Sequence, residues 1–155
     1  MPTQLPYRDC VGIVLFNTDG LILAGERLGL PGSWQMPQGG IDKGEEPREA
    51  ALRELEEETG TAKAQIIEQT TEWLTYDLPP ELVGKAFKGR YRGQRQLWFA
   101  MMFEGSDNEI DVHGVDHPEF ASWQWMTRAD ILATIVPFKR DVYAEVFEAF
   151  ADLTA

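Results

Sequence analysis

The stretch RELEEETG, residues 53–60, follows a proline at 47 and ends on Gly60, which fixes a helix near the middle of the chain. Proline suits the first turn of a helix, where an N–H has no partner, and glycine suits the position just past the end. Ala, Arg, Leu and Glu fill the space between, all good helix formers. The helix is expected to begin near Glu46. It crowds its own charge, because residues 39–61 hold eight Asp or Glu against three Lys or Arg. Four glutamates fall within positions 54–58. Carboxylates about 5 Å apart repel by roughly 1–3 kcal/mol at intermediate dielectric.

On a helix, Glu57 and Glu58 project within about 60° of Glu54. Glu56 points to the far side. Leu52 and Leu55 lie off the glutamate centre and are expected to face a core. Ala50 and Ala51 sit on the glutamate side and leave room there. One account of the crowding is a solvated acidic face. The other is a divalent cation in the gap, since hard carboxylate oxygens suit Mg²⁺, Mn²⁺ or Ca²⁺. Arg53, four residues before Glu57, can pair with it and orient it. The preceding PQGG and GEE place flexible backbone beside the helix N-terminus, where N–H groups and the dipole favour anions. A cation site beside an anion site is what a phosphate–metal complex needs.

Around the helix the pattern is that of strands. VGIVLFN (11–17), ended by the turn signal TDG, pairs with LILAGER (21–27) as a hairpin. Residues 28–40 read as a loop with a short strand near Trp34–Met36. One or two strands follow in 64–78, then a buried strand in 95–105 and another in 119–127, beginning at Glu119. Residues 129–153 read as one or two helices around Pro137. This order predicts a mixed α/β (α+β) fold in one domain spanning 1–155.

Composition narrows the partners. At a net charge of −12, the chain does not attract nucleic acid over its whole surface. A polyanionic substrate then requires a metal ion or a local basic patch. KAFKGRYRGQR (85–95) is such a patch, with five basic residues and no acid; a solvated loop is the plainer account. The lone cysteine, Cys10, excludes an internal disulfide and fits a reducing, cytoplasmic setting, and it reads as a small buried residue. No apolar run is long enough for a membrane helix, and MPTQLPYRDC lacks the pattern of a secretory leader. His113 and His117 form no metal motif.

Gly39, then five residues, Glu45, then seven residues, and the run RELEEETGT together resemble the Nudix box of the Nudix hydrolases. Seven identities at fixed spacing coincide by chance on the order of once in 10⁸ placements. Thr61 departs from the aliphatic residue the family prefers. The resemblance implies a mixed β-sheet between helices, with the box as loop–helix–loop, and hydrolysis of a nucleoside diphosphate linked to another group. It implies Glu54, Glu57 and Glu58 as metal ligands, joined by the Gly39 carbonyl and Glu119, with Arg53 orienting them. It also implies more than one Mg²⁺ or Mn²⁺ per site, and Glu54, Glu57 or Glu119 as proton acceptor.

Outside the box, YRDCVGIVLFN, SWQMPQGG, WLTYDLP, GQRQLWF, PEFASWQW and FKRDVY resemble the bacterial RNA 5′-pyrophosphohydrolases and the related dinucleoside polyphosphate hydrolases. That similarity implies a 5′-triphosphorylated RNA end or a dinucleoside polyphosphate as substrate, with no DNA or membrane partner and a monomeric state. It implies substrate contacts from Arg8 and Lys139 to outer phosphates, from Tyr76, and from Gln94 and Gln96 along one strand face. Arg27, Val136 and Phe138 would sandwich a base. Each has a plainer account: surface charge for Arg8 and Lys139, core packing for Tyr76 and Phe138, an exposed sheet face for the glutamines. Two readings of another kind stand beside these. A catalytically silent nucleotide-binding domain would be favoured by loss of a box glutamate, and none is lost. A calcium module would need alternating loop ligands, which DNEIDVHGVDHPE matches poorly.

Overall fold

The computed structural model describes residues 5–155, so the reading of the N-terminal decapeptide falls partly on residues 1–4, outside the described residues. Eight strands form one mixed sheet: β1 (Tyr7–Phe16), β2 (Ile22–Arg27), β3 (Trp34–Gln35), β4 (Gln38–Gly40), β5 (Ala64–Gln69), β6 (Leu74–Asp77), β7 (Gly93–Phe103) and β8 (Phe120–Met126). The central path runs β3-β2-β1-β7-β5, with β4 on β1, β6 on β7 and β8 on β2. β1 and β7 are parallel over ten residue pairs, from Tyr7↔Gly93 to Phe16↔Met102; every other pairing is antiparallel. The hairpin expected after β1 forms, and the Asn17 side chain accepts the N–H groups of Asp19 and Leu21 at 3.0 Å, closing the turn.

Alternation along β1 and β7 builds a core on each face. Val11, Ile13, Leu15, Leu97, Phe99 and Met101 face α1 (Pro47–Thr59). Val14, Phe16, Trp98 and Ala100 face α2 (Arg128–Thr134) and α3 (Arg140–Ala149). Strands with helices on both faces are the architecture the sequence implied. Helix α1 starts at Pro47 and ends on Gly60, whose φ of 79° lets its N–H reach the Glu56 carbonyl at 2.9 Å. Thr61, at the family's aliphatic position, is buried, and its hydroxyl accepts the Lys63 N–H at 3.1 Å.

Three expectations need correction. Ala50 and Ala51 leave no room for a ligand; both are fully buried against Val11, Ile13 and Leu15 and bring α1 close to the sheet. The glutamate side of the helix is thus partly its buried side. β1 begins at Tyr7, four residues before the expected start, because those residues pair with β7. β8 begins at Phe120, and Glu119 stands just outside it with its carbonyl accepting the Leu28 N–H at 3.0 Å.

Candidate active site

The box loop, α1, β1, β7, the 114–119 segment and the turn before α3 converge on one open cleft of about 790 Å³. Its acidic wall is Glu54, Glu57, Glu58 and Glu119, with Gly39 and Gly40 at its base. Its basic wall is Arg8, Arg27 and Lys139. A Cβ at 39 would displace the Glu54 carboxylate, and one at 40 the Arg8 guanidinium, so glycine at both lets these groups take their places. Each wall therefore packs directly on the β4 backbone. Strand β4 was not anticipated, but it holds both glycines in register with Val11 and Cys10 of β1.

Arg53 organises the acidic wall. It donates through Nε and Nη2 to the two oxygens of Glu45, both at 2.8 Å, and through Nη2 to the Gly40 carbonyl at 2.8 Å. Its Nη1 donates to Glu54 at 2.8 Å and to Glu57 at 3.1 Å. The pairing expected with Glu57 is present, but the anchor is Glu45, which the sequence had offered only as a box position. That bidentate contact and the Asp42 N–H hold Glu45 down at about 2. Glu45 is thereby a fixed anion that locks the guanidinium in one orientation.

Glu58 is held in an electrostatically strained position. It is 6% exposed, and it accepts the Gln38 backbone N–H at 3.0 Å. Burial first, then the charges of Glu54 and Glu119, push it well above the ordinary carboxylate range. Burial raises Glu54 too, against the pull of Arg53. As they stand, no three Asp, Glu, His or Cys groups among the described residues are close enough to hold a metal ion. Arg53 ties Glu54 and Glu57 instead. The donor set nonetheless fits a hard divalent ion: oxygen ligands only, short of positive charge, with one carboxylate buried beside two others.

The basic wall is equally unusual. Lys139 is 5% exposed; burial and Arg27 pull it down to about 8. Its Nζ reaches Gln35 at 3.4 Å and lies 5.8 Å from the Tyr76 ring. Tyr76 and Phe138 meet at 5.6 Å and line the cleft with Arg27. Arg8 lies 5.2 Å over Phe87. Gln94 lines the cleft as expected. Gln96 does not; it faces the same side but lies beneath Gln94 and Gln38, bonded to both. Val136 also misses the cleft and packs on the α3-side core. Glu56, expected on the far side of the helix, is exposed as expected yet also lines the cleft, and His117, given no role from its spacing, lines it too. Cys10 is fully buried and its thiol is pushed up to about 11 by burial, which suits a packing residue and not a nucleophile. Of the basic patch, Arg92 pairs with Asp77 and Arg95 with Asp9, while Lys85, Lys88 and Arg90 are exposed.

The NUDIX domain family profile matches residues 6–146. The RNA pyrophosphohydrolase of Cereibacter sphaeroides is 55% identical over 152 residues, covering 96% of this chain and 93% of that protein. The RNA pyrophosphohydrolase of Brucella anthropi is 52% identical over 165 residues, covering 99% and 95%. Among solved structures, the E. coli dihydroneopterin triphosphate pyrophosphohydrolase superposes with a TM-score of 0.70 at 18% identity, covering 90% of this chain and 96% of that one. A C. elegans Ap4A hydrolase complex superposes at 0.67 and 20% identity, covering 94% and 98%. These two likenesses show the fold alone.

Proposed function

The chain belongs to the NUDIX domain family, and from that premise we propose that it is an RNA 5′-pyrophosphohydrolase, a single-domain cytoplasmic monomer that converts a 5′-triphosphate RNA end to a 5′-monophosphate. The observation that carries this reading is one cleft lined both by the carboxylates of Glu54, Glu57, Glu58 and Glu119 and by the cations of Arg8, Arg27 and Lys139. Substrate phosphates fit between them. The nearly full-length identity to RNA pyrophosphohydrolases supplies the substrate class.

Nudix hydrolases generally use divalent metal ions. Here Glu54, Glu57, Glu58 and Glu119, with the Gly39 carbonyl, would hold Mg²⁺ or Mn²⁺, more than one ion per site. A bound ion would supply polarisation of the phosphoryl group and a more acidic water. The protein's own residues do the rest. Arg8 and Lys139 grip outer phosphate oxygens. Glu54, Glu57 or Glu119 takes the proton of the attacking water. Arg53, locked by Glu45, keeps Glu54 and Glu57 aimed at the cleft. Arg27, Tyr76 and Phe138 offer a cationic and aromatic surface for the first bases. Lys85, Lys88 and Arg90, beside the cleft residue Phe87, suit the chain that follows.

A dinucleoside polyphosphate is the second reading, favoured by the Tyr76–Phe138 pair, which would receive a base as well as an RNA end would. With Mg²⁺, kcat/KM is measured on a 5′-triphosphorylated RNA oligomer and on diadenosine tetraphosphate, with Glu57→Gln as control. A tenfold preference for RNA with pyrophosphate release is expected. A preference for the dinucleotide would replace the first reading with the second. No turnover of either would refute both.

A further inference from the structure

Gln96 is 1% exposed, and its amide makes three hydrogen bonds inside the protein, with both N–H donors used. Its Oε1 accepts the indole N–H of Trp98 at 2.9 Å. Its Nε2 donates to Gln94 at 2.7 Å and to Gln38 at 2.8 Å. An amide can be turned end for end, but an indole nitrogen is a donor only. Trp98 therefore decides which end of Gln96 faces it. Trp98 cannot yield: it is fully buried, edge-on to Tyr143 at 5.6 Å, and seated on Gly12, where a Cβ would stand 2.5 Å from its ring. With Oε1 committed to the indole, Nε2 must face Gln38 and Gln94. Both must answer with their carbonyl oxygens. Their own NH₂ groups are left over, and no acceptor among the described residues takes them. Both side chains line the cleft, and Gln94 pairs in register with Arg8.

We propose that Gln96 is a positioning residue: it carries the fixed polarity of the Trp98 indole to Gln38 and Gln94, so that two neutral N–H donors face the cleft beside Arg8 and take phosphate oxygens. The inference rests on the phosphoric-anhydride reading above and deepens it. An acidic protein must hold a polyanion without placing acceptor oxygens against it. A glutamine facing the cleft with its carbonyl would do the reverse. The relay removes that choice.

Gln96→Glu keeps the shape and the bond from Trp98 but removes both donors and adds a carboxylate, whose own repulsion would persist in full in a Gln94→Leu background. Gln38 and Gln94 then turn their NH₂ groups inward and their oxygens towards the cleft. The probe is methylenediphosphonate, a diphosphate that cannot be hydrolysed, titrated calorimetrically in the presence of Mg²⁺. Gln96→Glu is expected to bind it at least tenfold more weakly than the wild type. Gln96→Met, which frees the two amides without reversing them, should lose about threefold. In a Gln94→Leu background the Gln96→Glu loss should shrink, because one reversible donor is gone. Should Gln96→Glu fail to fold, Trp98→Phe carries the test, with a two- to threefold loss expected. Equal binding by the wild type and folded Gln96→Glu would overturn the relay, as would equal losses in the Met and Glu variants. Wild-type binding of the diphosphonate without turnover of triphosphorylated RNA would refute the proposed function and leave the relay standing.

Discussion

Helices α1 and α3 pack against opposite faces of the same sheet and meet opposite demands. Helix α3 buries Val142, Tyr143, Val146 and Phe147, two aliphatic and two aromatic side chains set against Trp98 and Val14. Helix α1 buries Ala50, Ala51, Leu55, Thr59 and the carboxylate of Glu58. Full burial of a large apolar side chain contributes roughly 1.5–3 kcal/mol, whereas a buried carboxylate with incomplete pairing costs free energy. Helix α3 therefore only adds to stability, whereas helix α1 gives part of its packing on the sheet over to an electrostatically strained wall. Sites that must bind or react are commonly built against local stability in this way.

Substitutions can separate the two faces. Glu57→Gln is expected to cut kcat/KM by about 10³-fold at an unchanged melting temperature, measured on triphosphorylated RNA. Phe147→Ala should do the converse, losing about 3–5 kcal/mol in urea unfolding while kcat per folded molecule holds. Loss of kcat there would mean that the α3 face takes part in the chemistry. Lys139→Met comes next, with KM about tenfold higher, a typical loss for one charged contact. Its stability effect has a definite sign. Lys139 sits at about 8 in the folded chain, below its ordinary 10.5. The cost of burying its charge is fully present below 8 and is relieved as pH rises from 8 towards 10.5. The wild type should gain stability across that window, and Lys139→Met should lack the gain.

Glu58→Gln gives the smallest expected stability shift and the sharpest sign. Burial lifts the Glu58 pKa, so its favourable contribution is complete below the ordinary carboxylate value and is lost as pH rises through its own raised value. Without divalent ions, Glu58→Gln should melt higher than the wild type at neutral pH. Added Mg²⁺ should narrow the difference by stabilising the wild type alone. A lower melting temperature for Glu58→Gln in metal-free buffer would show that the acidic wall is not strained.

Much of this was legible from sequence where the physics is local. Helix α1 was readable because Pro47, Gly60 and helix-forming residues act within the segment. Glu54, Glu57 and Glu58 share a face by periodicity alone. The unread parts depend on neighbours in space. β4 is Gln38-Gly39-Gly40, with no alternation to betray it; β1 makes it a strand by pairing with it. Ala50 and Ala51 look like vacancies until β1 fills the space beside them. Gln96 reads as a second cleft glutamine, and only the side chains packed around it, Trp98 below and Gln38 beside, turn it inward.

The parallel pairing of β1 with β7 sets the order in which the protein can come into being. Tyr7 lies against Gly93, 86 residues later (93 − 7), and that separation holds across all ten pairs. A nascent chain emerges at roughly 5–20 residues per second, so β1 waits several seconds for its partner. During that wait its apolar run has an open edge, and the Nudix box, already synthesised, has only half of its cleft. Contacts of such long range also slow folding once the whole chain is free. Glu54, Glu57 and Glu58 of the acidic wall are thus present well before Gln94, Glu119, Phe138 and Lys139 arrive to complete the cleft, and a chain truncated before β7 should be prone to aggregation and inactive.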